Sequence, residues 1–90
     1  MTVEDLCQRM AALGNQTRME IYRVLVRAGS SGLPVSGVQE RLGIPASTLS
    51  HHLRRLVDVG LARQERTGTT LVGSADYAVM ESTFALFAAE

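Results

Sequence analysis

Residues 35 to 68 constrain this chain more than any other part of it, because they follow one recognisable order of elements. Their sequence is VSGVQERLGIPASTLSHHLRRLVDVGLARQERTG. Val38 and Leu42 lie four residues apart and are followed by Gly43, which predicts a helix of about two turns with a left-handed residue at its end. A short turn then leads to Ser47, which we expect to cap a longer helix. The segment therefore predicts two helices joined by a tight turn.

The second of these helices has an apolar stripe on one side and polar groups on the other. Leu49, Leu53, Leu56 and Val57 form the stripe, and the helix is expected to end at Gly60. At roughly 100° per residue, the opposite side presents short hydroxyls, an imidazole and guanidinium groups. Its members are Ser47, Thr48, His51, Arg55 and Asp58, with Arg54 at the margin. Such groups can reach base edges and phosphates from a helix in the major groove.

A basic hairpin follows this helix. Residues Leu61–Arg66 and Thr70–Val72 are short strand candidates joined by Thr67-Gly68-Thr69, where the glycine supplies a positive φ at little cost. With Arg63 and Arg66 expected near its tip, the hairpin has the character of a wing. Helix, turn, helix and wing in this order predict a winged helix-turn-helix, a fold that is mainly α with a small β-hairpin.

The flanking segments predict three more helices, which makes five in all. Thr2 and Asp5 resemble a capping box at the start of the first helix, which continues to Gly14. Asn15 is expected to cap a second helix that ends at Gly29, with Tyr22 on its apolar side. Asp76 is expected to cap the last helix, whose apolar residues recur at helical spacing. They are Tyr77, Met80, Phe84 and Phe87, with Val79 and Leu86 beside them.

Length and composition limit the chain to one small domain, residues 1 to 90. The chain has 90 residues, of which 46% are hydrophobic and 20% charged. A domain of this size buries only about 60 to 65% of its unfolded surface, so a partner subunit would add stability. No apolar run long enough to span a membrane and no signal-like leader are visible, which predicts a cytoplasmic protein without a membrane partner.

The charges balance over the whole chain but not along it. Nine arginines and no lysine oppose nine acids, so net charge alone does not indicate nucleic acid. Residues 45 to 73 contain four arginines against two acids, a net charge of +2, and also both histidines. Residues 74 to 90 contain three acids and no base, a net charge of −3. The positive part of the chain therefore coincides with the predicted recognition helix and wing.

Three stretches resemble the ArsR/SmtB family of winged-helix repressors, and the order of elements agrees over nearly the whole chain. They are Ala12-Leu13-Gly14-Asn15-Gln16-Thr17-Arg18, Ser47-Thr48-Leu49-Ser50-His51-His52-Leu53 and Gly60-Leu61. The resemblance implies a homodimer, joined through the first and last helices, that occupies double-stranded operator DNA near a bacterial promoter. It also implies that transcription stays blocked until an inducer binds.

We assign the exposed polar groups of this region to DNA. Base edges or nearby phosphates are expected for Ser47, Thr48 and His51. Phosphates are expected for the arginines, with the minor groove as an alternative for those of the wing. The full set is Ser47, Thr48, Ser50, His51, His52, Arg54, Arg55, Arg63, Arg66 and Thr69. A solvated face of an ordinary amphipathic helix is the alternative for the helix residues. His52 lies at the edge of the stripe, where a histidine bonded to backbone and a phosphate contact are equally good interpretations.

The sequence does not name an inducer or a metal site. Cys7 is interpreted as a small packed hydrophobe, with a sensing thiol near the dimer interface as the alternative. Residues 35 to 42 contain no cysteine and the helix after Asp76 no histidine, the positions that metal-sensing and arsenite-sensing relatives use. Adjacent His51 and His52 diverge by about 100° and cannot readily share an ion. We therefore expect no resident cofactor. Because Ala88-Ala89-Glu90 has no helix-ending residue, our hypothesis is that the natural chain is longer and has cysteines just after Glu90, where some arsenic-responsive relatives have them. On that hypothesis the inducer is arsenite or another metalloid or metal.

The last helix is expected to serve both the core and a dimer interface, because an apolar helix must be covered on two sides. The predicted interface residues are Leu6, Met10, Met80, Phe84 and Phe87. The alternative function is a winged-helix module that binds a protein rather than DNA. An enzyme is not expected, since no paired carboxylates, phosphate-binding glycine loop or nucleophile with a base is visible.

Overall fold

The computed structural model describes residues 2–89 and confirms five helices and a wing. Met1 and Glu90, the two ends of the predicted 1–90 domain, lie outside the described residues. The helices are α1 (Val3–Leu13), α2 (Gln16–Ala28), α3 (Val35–Leu42), α4 (Ala46–Asp58) and α5 (Tyr77–Ala85), the last continued by a 3₁₀ turn over Leu86–Ala88. The strands are β1 (Leu33–Pro34), β2 (Ala62–Thr67) and β3 (Thr70–Ala75). Within the described part of the chain, no helix is long and apolar enough to cross a bilayer.

Three of the four predicted helix caps are confirmed, and one is wrong. Thr2 and Asp5 form a complete capping box on α1, while Asn15 and Asp76 accept from the backbone N–H groups of Arg18 and Val79. Ser47 does not cap α4, because the extended backbone of Pro45 starts the helix two residues earlier than expected. Ser47 therefore lies inside the first turn of α4 with its side chain exposed.

A third strand, missed in the sequence, holds the wing to the rest of the domain. β1 pairs antiparallel with β3, so the sheet order is β1-β3-β2. Gly32, just before β1, has a φ of +74°, and a Cβ there would overlap the carbonyl oxygen of Gly73. Close approach of these two backbones is thus possible only because residue 32 has no side chain.

The wing is longer than predicted and its turn is tighter. β3 continues to Ala75 instead of ending at Val72, and Thr67 pairs with Thr70 as the last rung of the ladder. The turn therefore has two residues, Gly68 and Thr69, with positive φ only at Gly68. Its first residue matches the demand of a II′ hairpin turn for glycine.

The core is built from the inner faces of α2, α3 and α4 together with the base of the sheet. Ile21 and Leu25 of α2 are fully buried and belong to the same cluster as the leucine stripe of α4. Tyr22 is also buried, and its hydroxyl finds no hydrogen-bond partner within residues 2–89. The apolar stripe of α4 is thus what fixes the orientation of that helix in the domain.

α5 is attached to the domain by two hydroxyl groups, while the two phenylalanines at its C-terminal end face outward. Tyr77 donates to the carbonyl oxygen of Val26 at 2.6 Å, and the buried Thr83 accepts from Arg9 at 3.3 Å. Phe84 and Phe87 stack on each other with 6.2 Å between ring centroids and remain 52% and 59% exposed. One face of this apolar helix is therefore uncovered in a single chain.

Candidate nucleic-acid interface

The predicted reading face of α4 is exposed, and the opposite side is sealed in the core. Leu49, Leu53 and Leu56 are at most 1% exposed. The polar residues on the other side are accessible, with Thr48 half-buried and the remainder exposed: Ser47, Ser50, His51, Arg54 and Arg55. The helical projection from the sequence is confirmed, because burial of the leucines on one side of α4 turns its polar side towards solvent.

The first turn of α4 keeps its backbone donors available. Pro45 provides no side-chain hydrogen bond at the N-cap position, and Ser47 and Thr48 lie in the turn that follows. The first N–H groups of a helix have no intrahelical acceptor and favour an anion such as phosphate. This end of α4 thus presents hydroxyls and backbone N–H groups together.

A cleft of about 400 Å³ separates α4 from the wing. Ser50 and Arg54 line it from the helix, and Gln64 and Leu71 from the hairpin. Gln64 was not singled out in the sequence, although strand alternation places it on the same side of β2 as the buried Ala62. The cleft brings the Arg54 guanidinium between the two parts of the fold that are expected to contact DNA.

The two wing arginines have different surroundings. Arg66 pairs with Leu71, one rung from the turn, and is exposed together with Thr69 at the tip. Arg63 does not lie near the tip as predicted: it pairs with Ser74 at the base of the hairpin. Its side chain donates twice to Oδ2 of Asp76, at 3.1 and 2.8 Å.

The contact with Arg63 also changes the electrostatics of Asp76. The backbone N–H of Val79 and the guanidinium of Arg63 hold the pKa of the Asp76 carboxyl below its ordinary value of 3.8. Asp76 therefore stays ionised and offsets the charge of Arg63. Of the two wing arginines, Arg66 is the one whose charge has no acidic partner within residues 2–89.

Arg54 and Arg55 face different neighbours even though they are adjacent. Arg54 lies in the cleft beside the wing, whereas Arg55 lines a second groove of about 310 Å³ together with Gln8 and Ala11 of α1. Both guanidiniums are exposed. The positive charge of α4 is thus spread along both of its sides instead of being concentrated at one point.

His52 is held by a side chain and not by backbone. Its Nδ1 lies 3.1 Å from Nη1 of Arg18, while Nε of the same arginine donates to the carbonyl oxygen of Ala12 at 2.6 Å. Burial first, then the positive charge of Arg18 and the neighbouring His51, lower the pKa of His52 below 6.5. His52 is therefore neutral at neutral pH. Arg18 was not identified as part of the site in the sequence, where it entered only through the family resemblance.

Neither histidine nor cysteine forms a cluster of metal ligands in the described residues. The His51 and His52 rings meet edge-on with 5.2 Å between centroids, and across residues 2–89 no three histidine, cysteine or carboxylate groups come together. Cys7 is exposed on α1, so its interpretation as a packed hydrophobe is wrong for a single chain.

Comparison with known proteins places this geometry in a family. Residues 13–65 match the model of a helix-turn-helix domain. An ArsR-like transcriptional regulator from Rhodococcus sp. RHA1 superimposes with a TM-score of 0.83 at 27% identity, over 93% of this chain and 76% of that one. The chain belongs to the helix-turn-helix family, in its ArsR-type branch. This family consists of transcription regulators and is not a family of enzymes.

Other solved structures superimpose nearly as well. NolR from Sinorhizobium fredii has a TM-score of 0.74 at 27% identity, over 93% of this chain and 82% of that one. A homodimeric winged helix-turn-helix DNA-binding domain from Mycobacterium bovis, described as a possible ArsR-family regulator, has a TM-score of 0.76 at 22% identity. That match covers 96% of this chain and 78% of the other and shows the shared fold. No curated protein sequence matches significantly.

Proposed function

We propose that this ArsR-type chain is a homodimeric repressor that acts in the bacterial cytoplasm and binds an imperfectly palindromic operator. The observation that carries the proposal is the exposed polar face of α4 beside the wing cleft, held in place by three buried leucines. Each recognition helix enters a major groove, and the two half-sites lie about one helical turn, roughly 34 to 36 Å, apart. A dimer bound there excludes the transcription machinery from the promoter.

The side chains have different roles in this complex. Ser47, Thr48 and His51 contact base edges or the nearest phosphates, because they project from the first turns of α4. Ser50, Arg54 and Arg55 contact phosphates on either side of the helix. Arg66 and Thr69 approach the minor groove from the wing tip. Arg63 contributes less, because its guanidinium is already paired with Asp76.

The homodimer is supported by apolar surface that a single chain leaves exposed. Phe84 and Met80 of α5 line a groove of about 340 Å³ between α2 and α5. Phe87, in the 3₁₀ turn that follows, is also exposed. Val3 of α1 is 69% exposed. Since a domain of this size gains stability from a partner, these faces of α1 and α5 are the natural surface for a second copy.

Binding to the DNA upstream of the gene tests the proposal directly. A labelled upstream fragment should bind in fluorescence anisotropy with a dissociation constant of roughly 10⁻⁸ to 10⁻¹¹ M at physiological salt, and an unrelated fragment much more weakly. Arsenite, zinc and an oxidant, added separately, test which signal releases the DNA. Equal weak binding to both fragments, with a protein recovered by pull-down, would favour the protein-interaction alternative.

Arg54→Ala should weaken binding to all sequences and reduce the slope of log Kd against log salt by about one phosphate contact. The cause is the loss of one guanidinium that releases counterions from DNA. Arg63→Ala is the matched control and should change the slope less, because Asp76 already neutralises that charge. Equal slopes for wild type and Arg54→Ala, measured between 50 and 200 mM salt, would contradict the phosphate role.

Thr48→Ala and His51→Ala should change preference among operator variants and not only overall affinity. Losing one base contact should reduce the difference in binding free energy between the correct and a wrong base at that position by about 1 to 3 kcal/mol. The reason is that a wrong base no longer leaves a side chain of the protein without a hydrogen-bond partner. Competition against single-base operator variants measures this preference. A uniform loss over all variants would assign these two residues to phosphates instead.

A further inference from the structure

Arg18 lies outside the reading face but touches it through His52. The side chain is anchored on the other side by its Nε, which donates to the carbonyl oxygen of Ala12 near the end of α1. Its backbone N–H is held by Asn15 at the start of α2. One guanidinium therefore joins α1 and α2 to the recognition helix in a fixed position.

The contact determines which nitrogen of His52 has the proton. An arginine side chain has five N–H donors and no acceptor, so the Nδ1 atom 3.1 Å from Nη1 can only accept. The proton of the neutral imidazole must then be on Nε2. Protonation of the ring would put a hydrogen on Nδ1 against the guanidinium, and the positive charges of Arg18 and a protonated His51 oppose it.

The Nε2–H group has no acceptor among the described residues. Within residues 2–89 no hydrogen bond involves this atom, and it is not among the polar atoms sealed from solvent. His52 is on α4 between Ser47 and Arg55, residues that we place against DNA. A phosphate oxygen is the acceptor that this surface meets most often.

We propose that Arg18 is a positioning residue that holds His52 as its Nε2–H tautomer and presents that N–H to a phosphate oxygen of DNA. The phosphate contact rests on the proposed function, whereas the tautomer of His52 is a property of the free protein. It assigns His52 to the DNA interface and gives α2 a part in DNA binding. The two halves are tested separately.

The tautomer is read from the ¹⁵N shifts and couplings of the His52 imidazole in the free protein at pH 7.5. We expect a protonated Nε2 and a bare Nδ1 in wild type, and a mixture of tautomers in Arg18→Met, which removes the donor while keeping a long side chain. His51, which no arginine of residues 2–89 contacts in this way, is the internal control. A protonated Nδ1 in wild type, or the same His52 spectrum in Arg18→Met, would overturn the inference even if the protein binds DNA.

The phosphate contact is tested with two substitutions of similar size at residue 52. The amide nitrogen of glutamine lies near the position of Nε2, so His52→Gln should stay within about threefold of wild-type affinity. Asparagine keeps an acceptor for Arg18 but does not reach the phosphate, so His52→Asn should lose about tenfold. Equal affinities of the two variants would overturn the phosphate half.

Wild type, His52→Asn, Arg18→Met and the double variant Arg18→Met/His52→Asn together form a double-mutant cycle for DNA affinity. If Arg18 acts through His52, its loss should weaken DNA binding severalfold in wild type and little in His52→Asn. Additive losses would mean that Arg18 acts by another route. Should Arg18→Met fail to fold, Arg18→Lys replaces it, since an ammonium can satisfy only one of the two contacts. Failure of wild type to bind any DNA would refute the proposed function while leaving the tautomer result intact.

Discussion

Tyr22 is a residue whose environment differs from its apparent role in the sequence. Its spacing on α2 indicates an apolar stripe position, and its ring is indeed buried. The hydroxyl, however, has no hydrogen-bond partner within residues 2–89. Burial, followed by the charges of Asp76 and Tyr77, raises the pKa of Tyr22 to about 12. A buried polar group without a partner lowers the stability of the fold, so this hydroxyl opposes folding slightly at neutral pH. At alkaline pH, where the hydroxyl loses its proton, it opposes folding much more, because burial disfavours the charged form.

Tyr22→Phe should therefore be as stable as wild type at pH 7 or more so, by up to about 1 kcal/mol. In the folded state the pKa lies above the ordinary value of 10, so the unfolded chain loses its proton first. Tyr22 ionisation therefore does not change the free energy of unfolding below pH 10. As the pH rises from 10 towards 12, the free energy of unfolding falls, on the order of 2 to 3 kcal/mol for a full two-unit shift. Urea unfolding at pH 7, 9, 10 and 11 measures both effects.

Tyr77→Phe serves as the control for this comparison. It removes a hydroxyl that is used, since that group donates to the carbonyl oxygen of Val26. We expect a loss of about 1 kcal/mol at pH 7, opposite in sign to Tyr22→Phe. If wild type and Tyr22→Phe lose stability in parallel above pH 10, the hydroxyl of Tyr22 is not the group that titrates.

At the scale of elements, the sequence predicts those helix and strand features that depend on residues close together in the chain. The caps Thr2, Asn15 and Asp76 could be predicted because a cap bonds to backbone only three residues away. β1 could not be predicted, because two residues have no periodicity and their partner strand lies far along the chain. The end of β3 was missed for a similar reason: Gly73, Ser74 and Ala75 have little β-propensity and are held by pairing with β2, and Gly73 also by pairing with β1.

Gly32→Ala tests the contact that joins β1 to β3. The backbone at this position has positive φ, which costs a residue with a Cβ about 1 to 2 kcal/mol, and the Cβ would also overlap the carbonyl oxygen of Gly73. Gly43→Ala is the control, because Gly43 has a positive φ of +64° in the left-handed region and open space around it. Thermal unfolding should show a larger loss for Gly32→Ala. Equal losses would mean that the two backbones separate without cost.

At the scale of the whole molecule, the reading face was predictable and the partners of its arginines were not. Projection of one helix suffices to place Ser47 and His51 on the exposed side. The pairing of Arg63 with Asp76 and of Arg18 with His52 depends on elements that meet only in the folded chain. The role of the uncovered aromatic face of α5 also depends on the whole assembly, because a second molecule is needed to cover it.

Phe84→Gln should raise the dissociation constant of the dimer by roughly tenfold to several hundredfold, the range for truncating a central interface aromatic. The folded monomer should change little, because Phe84 is 52% exposed in a single chain. Sedimentation velocity over a dilution series measures the dimer, and circular dichroism checks the fold. Glu81→Gln, an exposed substitution on the same helix, is the control. An unchanged dimer in Phe84→Gln would place the interface elsewhere.

The sheet order β1-β3-β2 has a consequence for how DNA sequence is selected. β3 is hydrogen-bonded along both edges, and β1 leads into α3 with no residue between them. The wing is therefore tied to the helix-turn-helix before any DNA is present, and the distance from recognition helix to wing tip is set by the protein. The duplex must adjust its groove width and bend to that distance, so sequences that deform easily between the two contacts are favoured at base pairs that no side chain touches.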